Sequence, residues 1–134
     1  KRVSTTTLIE TRLATMERVG PGLIVQRFRA GVKLDLVGFE ENRVARHTLA
    51  EHGPHAMLTV FPEGIDFDLA VTTRDHFKPE QDNLQLVALA LVAHDTLAGS
   101  VVQLFFSYFP QVFTHALFEN EAEALSWLRA QLPA

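Results

Sequence analysis

Histidines at 47, 52, 55, 76, 94 and 115 are the side chains best able to move a proton or bind a metal near neutral pH. His94 and Asp95 follow a continuous apolar run, and Glu63 and Asp66 follow another. If both runs are parallel strands, these four residues stand at strand ends, where ligands of open α/β sheets collect. His94 would then be a general base among carboxylates. The plainer reading, which we favour, has Asp95 capping a helix and His94 in a linker. His47, His52 and His55 surround Gly53-Pro54 but show none of the established zinc spacings, so exposed loop histidines are expected there. Gly99-Ser100 lacks the frame of a nucleophile elbow. Gly20-Pro21-Gly22 precedes a strand pattern rather than a helix, so it is a turn and not a phosphate loop. These patterns support no catalytic residue, cofactor or metal, and a non-enzymatic protein is expected.

The most informative residues are apolar. Residues 97–109 carry Leu97, Val101, Val102, Leu104, Phe105, Phe106, Tyr108 and Phe109, and Phe113 follows. On a helix these side chains cover more than the stripe of about 100° that one sheet face requires. The surplus must be buried somewhere. Leu97, Val101, Phe105, Phe106, Phe109 and Phe113 are therefore the candidates for a subunit interface or an apolar-ligand site. Core packing combined with a homodimer is the preferred reading. Membrane association is weaker, because the helix carries no Lys or Arg.

Composition sets the outer bounds. The 134 residues suit one domain with a core of its own, and residues 1–7 are polar enough to form a flexible arm ahead of a domain at 8–134. The net charge is −4 without a basic cluster, which argues against nucleic-acid binding. There is no cysteine, so disulfides and thiolate chemistry are excluded; a cytoplasmic location is compatible with that and expected. No stretch approaches the roughly 20 apolar residues of a membrane span.

Residues 8–19 alternate in part and read as a strand, turning at Gly20-Pro21-Gly22 into a second strand at 23–28, an N-terminal antiparallel hairpin. Asp35 is placed to cap a helix over 35–52, with Val37, Val44, Ala45, Thr48 and Leu49 inward and Glu40, Glu41, Arg43 and Arg46 toward water. Residues 56–61 read as a buried strand. A helix is expected over 66–77, followed by a polar connection at 78–83. Residues 84–93 are almost wholly apolar, as in a strand covered on both faces. A helix from Asp95 to Phe109 ends at Pro110. A strand at 111–118 precedes a final helix to about Leu132, with Ala124, Leu125, Leu128 and Leu132 inward. The expected class is α/β, a mostly parallel sheet with helical crossovers in the order β-β-α-β-α-β-α-β-α.

Three segments carry a family resemblance: Val32-Lys33-Leu34-Asp35-Leu36 at the first helix, the apolar run Val87-Ala88-Leu89-Ala90-Leu91 leading to Phe105-Phe106, and Phe118-Glu119-Asn120-Glu121-Ala122-Glu123-Ala124-Leu125-Ser126-Trp127-Leu128 near the end. Over about residues 8–132 the chain resembles the STAS-like domains, the fold of anti-sigma-factor antagonists, and specifically the small stand-alone bacterial members. The resemblance implies a nearly sequential strand order in the parallel part. It also implies a phosphorylated Ser or Thr in the loop after the strand at 56–61. Here that loop reads Phe61-Pro62-Glu63-Gly64-Ile65-Asp66 and has no hydroxyl. A phosphate switch cannot operate there. Glu63 or Asp66 could supply a permanent negative charge, although a capped helix start accounts for them more simply. The resemblance thus points to a protein-interaction or regulatory module lacking the phosphorylatable residue. The alternative is a protein binding a small apolar molecule or lipid near Phe105, Phe106, Phe109 and Phe113.

Overall fold

A computed structural model describes residues 7–77 and 85–132. The expectations for an arm at 1–7 and a connection at 78–83 fall, but for Thr7, outside the described residues. Among the described residues a six-stranded sheet runs in the order β1 (Leu8–Glu10), β2 (Ala14–Gly20), β3 (Leu23–Phe28), β5 (His55–Val60), β7 (Leu86–Val92), β8 (Thr114–Phe118). The first three strands pair antiparallel, and β3, β5, β7 and β8 pair parallel in sequential order. Two further strands, β4 (Lys33–Leu34) and β6 (Asp66–Phe67), form a small parallel pair. The helices are α1 (Leu36–Leu49), α2 (Thr96–Tyr108) and α3 (Glu121–Gln131). The class is α/β with a mixed, mostly parallel sheet.

Alternation along the strands builds two cores. Leu23 and Val25, Ala56 and Leu58, and Ala88, Ala90 and Val92 pack with Ala124 and Leu128 of α3. The alanines let α3 approach the sheet closely. On the opposite face Ile24, Met57, Leu89 and Leu91 join Ala45 and Leu49 of α1 and Val102 of α2. Strand β7 is therefore covered on both faces, as its apolar run demands. The helix caps follow the sequence: Asp35 accepts from the Gly38 amide at 2.8 Å, Asp95 from Leu97 at 2.8 Å and Asn120 from Glu123 at 3.0 Å.

Three expectations change. Residues 8–19 are not one strand: Thr11 Oγ1 takes the Ala14 amide at 3.0 Å, and the turn buries Leu13, so β1 and β2 are separate and the hairpin becomes a three-stranded meander. The helix over 66–77 is absent. Asp66 and Phe67 are drawn out to pair with Lys33 and Leu34, and Asp68 starts only a 3-10 turn over Leu69–Thr72. A long-range pairing has overridden a short local pattern. The inner face of α1 is also rotated. Val37 and Val44 are 68% and 53% exposed, while Gly38, Asn42, Ala45, Arg46 and Leu49 are buried. Gly38 faces the Leu13 side chain so closely that a Cβ there would fall on it. Arg46 turns inward to reach His55.

Candidate functional site

Helices α1 and α2 cover opposite ends of one sheet face and leave a gap above β3, β5 and β7. Residues 61–77, which follow β5, border the gap from above. Beneath it lies a cavity of about 140 Å³. Its floor is Gln26 and Phe28 of β3, Met57 and Thr59 of β5, and Leu89 and Leu91 of β7. Phe39, Asn42, Arg43 and Arg46 of α1 form one wall, and Ala98, Val101, Val102, Phe105 and Phe106 of α2 the other. Phe67, Val71, His76 and Phe77 form the roof. Much of the lining stands over the carboxyl halves of parallel strands, the end where ligands of such sheets bind.

The roof is tied down by ring contacts. The His76 ring meets Phe39 edge-on at 4.6 Å and stacks on Phe105 at 5.5 Å, so it bridges the two helices. Phe77 lies against Phe106 and Phe113 at 6.1 and 5.1 Å. His76 Nε2 donates to the Val71 carbonyl at 2.5 Å, and Gln111 donates to Asp75 at 3.0 Å. Burial holds the His76 imidazole below its ordinary value, against the opposing pull of the Val71 carbonyl and Asp75; Arg74 adds slightly to the lowering. The folded state therefore prefers neutral His76. That preference is in force above the unfolded value near 6.5 and fades as pH falls toward the folded one. His115, stacked on Phe106 at 4.0 Å and also lowered by burial, acts in the same direction. Amides of residues 71–77 should exchange faster at pH 5 than at pH 7 once intrinsic rates are removed, and His76→Phe should flatten that dependence.

A polar chain crosses the floor. Gln26 and Thr59 are register partners on β3 and β5, and Gln26 Nε2 donates to Thr59 Oγ1 at 3.1 Å. Asn42 Nδ2 donates to Gln26 Oε1 at 3.0 Å. All three side chains are buried, Asn42 at 4% exposure. Arg46, at 3% exposure, donates from Nη1 to His55 Nε2 at 2.7 Å, and His55 Nδ1 donates to the Gly53 carbonyl at 2.9 Å. Both His55 nitrogens are thereby occupied, which makes this a structural lock.

The residues expected to matter divide. Val101, Phe105 and Phe106 line the cavity, and Phe113 is buried beside it. Phe109 lies outside it with its ring tilted against Phe105 at 5.1 Å, and Leu97 is exposed. Pro62, Gly64 and Asp66 border a separate cleft of about 10 Å³, room for a single water, and Glu63 is exposed beside it. Asp95 caps α2 and also accepts from the Gly64 amide at 3.2 Å. His94 is exposed and makes no hydrogen bond or ion pair with Glu63 or Asp66, so the four polar candidates do not converge. Among the described residues no group of three acidic or histidine side chains is placed to hold a metal, and no helix is long and apolar enough to cross a membrane. Sequence reasoning named His76 only as one of the six histidines and missed Gln26, Asn42 and Thr59. The signal for Gln26 and Thr59 was a polar residue at an inward-facing strand position. Comparison of the chain with protein-family models, with curated proteins and with solved structures finds no match in any of the three.

Proposed function

We propose that this domain is a non-enzymatic binding module that takes a small apolar molecule into the cavity between α1 and α2. The observation that carries the reading is a half-open pocket of about 140 Å³ with phenylalanines along its walls. Small-molecule sites are concave and lined mostly by apolar and aromatic side chains with a few polar groups. An apolar cavity of about 150 Å³ accepts benzene, so a pocket of this size takes a molecule of about one ring. Titration of toluene into methyl-labelled protein tests the reading. Saturable shifts are expected at Met57, Leu89, Leu91 and Val101, and their absence up to the solubility limit of toluene would refute it.

A STAS-like interaction module without the phosphorylatable residue is the second reading. Its support is the sequential parallel strand order and an exposed stripe on α2, where Leu97, Leu104 and Tyr108 recur at helical spacing beside exposed Val112. Such a stripe suits a homodimer in which two copies of α2 meet. Sedimentation should then show a dimer that Leu104→Glu dissociates. A wild-type monomer at every concentration would discard this reading and leave the first in place. A cytoplasmic location fits either.

A further inference from the structure

We propose that acid empties this cavity: His76 takes up a proton in the roof, and the protonated form rejects an apolar occupant. The inference rests on the reading that the cavity binds a small apolar molecule, and it supplies the regulation of that site. Geometry places His76 for the task. Its ring lines the cavity and bridges Phe39 of α1 and Phe105 of α2 at 4.6 and 5.5 Å. Nε2 donates to the Val71 carbonyl, so the neutral ring carries its proton there and a second proton must go to Nδ1. Nδ1 has no hydrogen-bond partner among the described residues, so no acceptor waits for that proton.

The groups around the ring set the sign. From α1, Arg43 and Arg46 share the cavity lining with it; α2 carries no charged residue, and its Tyr108 is exposed. The strands beneath contribute Gln26, Thr59 and apolar side chains, and no carboxylate belongs to the lining among the described residues. Within the roof, Asp75 favours a positive ring and Arg74 opposes one. Asp75 Oδ1 already accepts from the Phe77 amide at 2.9 Å and from Gln111 at 3.0 Å. An imidazolium would thus find no counter-charge in the cavity walls. In the unliganded protein water can reach this half-buried ring through a half-open pocket. An apolar guest against the ring excludes that water and offers no acceptor, which makes the charged form costlier still. Linkage is reciprocal, so what the guest does to the proton the proton does to the guest. Guest and neutral His76 belong together. Affinity is full above the pH at which the ring titrates in the unliganded protein and fades as pH falls through it. Burial holds that titration below the ordinary 6.5, so the loss comes below pH 6.5.

Toluene titrated at pH 7 and pH 5, with folding checked by circular dichroism at both, tests the proposal. The affinity of wild-type protein should fall by roughly threefold to tenfold between them. In His76→Phe that dependence should flatten, whatever its affinity at pH 7. Should the variant not fold, the His76 ring resonances of wild-type protein are followed through a pH titration instead. Their midpoint should move to lower pH when toluene saturates the protein. Affinity that is equal at the two pH values, or higher at pH 5, would overturn the proposal while leaving the cavity as a binding site. A loss that survives in folded His76→Phe would assign it to another group, His115 behind Phe106 first, and would overturn it equally. Absence of toluene binding at pH 7 as well as at pH 5 would overturn it together with the binding reading beneath it.

Discussion

A Val101→Trp variant should lose saturable binding of small aromatic molecules while keeping its fold. Val101 sits half-buried on α2 and lines the cavity. An indole there is expected to occupy the void between α1 and α2, the space a guest would take. Large residues forced into a packed core usually cost about 1–3 kcal/mol. Here the space exists already, so the side chain gains contacts that the void-lining atoms now lack. Cavity volume in a core costs roughly 24 cal/mol per Å³. The pocket is half open, so filling part of it should leave stability within about 1 kcal/mol of wild type. Denaturant melts and toluene titrations on the same preparation check both halves. Binding that survives in a folded Val101→Trp protein would place the ligand elsewhere.

Leu128→Ala should do the reverse. Leu128 is the largest fully buried side chain of α3 and packs in the core with Leu23, Val25, Leu58 and the alanines of β5 and β7. Helix α3 alone covers that sheet face among the described residues, so little else can close over the gap. Truncating such a leucine costs about 3 kcal/mol, within a usual span of about 2–5. For a domain of this size that lowers the thermal midpoint by roughly 10 °C. The residue lies across the sheet from the cavity, and sites so separated act nearly independently. Affinity for toluene, measured well below the melting temperature, should stay within about twofold of wild type. A large loss of affinity would mean that the two faces are coupled through β7.

The elements were legible where local chemistry and burial agree. Asp35, Asp95 and Asn120 read as helix caps and are caps, because a short acceptor side chain satisfies first-turn amides wherever it occurs. The run that became β7 reads as a doubly covered strand because both faces of its pleat are apolar. Legibility failed where a distant partner decided. Asp66 and Phe67 look like a helix start until Lys33 and Leu34 arrive to pair with them. Val37 and Val44 look like core, yet the face of α1 is chosen by Leu13 against Gly38, by Gln26 against Asn42 and by His55 against Arg46.

The candidate site shows the same division. The surplus of phenylalanine on α2 was plain from spacing, and part of it does line the cavity. The polar floor was not, since Gln26, Asn42 and Thr59 are far apart in the chain and become one chain of hydrogen bonds only when β3, β5 and α1 are brought together. Periodicity and capping, which act within a few residues, settled the α/β class and most element positions of this protein. The gap between α1 and α2, and the roof that His76 pins across it, follow from how far apart those two helices settle on the sheet. That spacing is set by contacts between residues remote in sequence, and no local pattern encodes it.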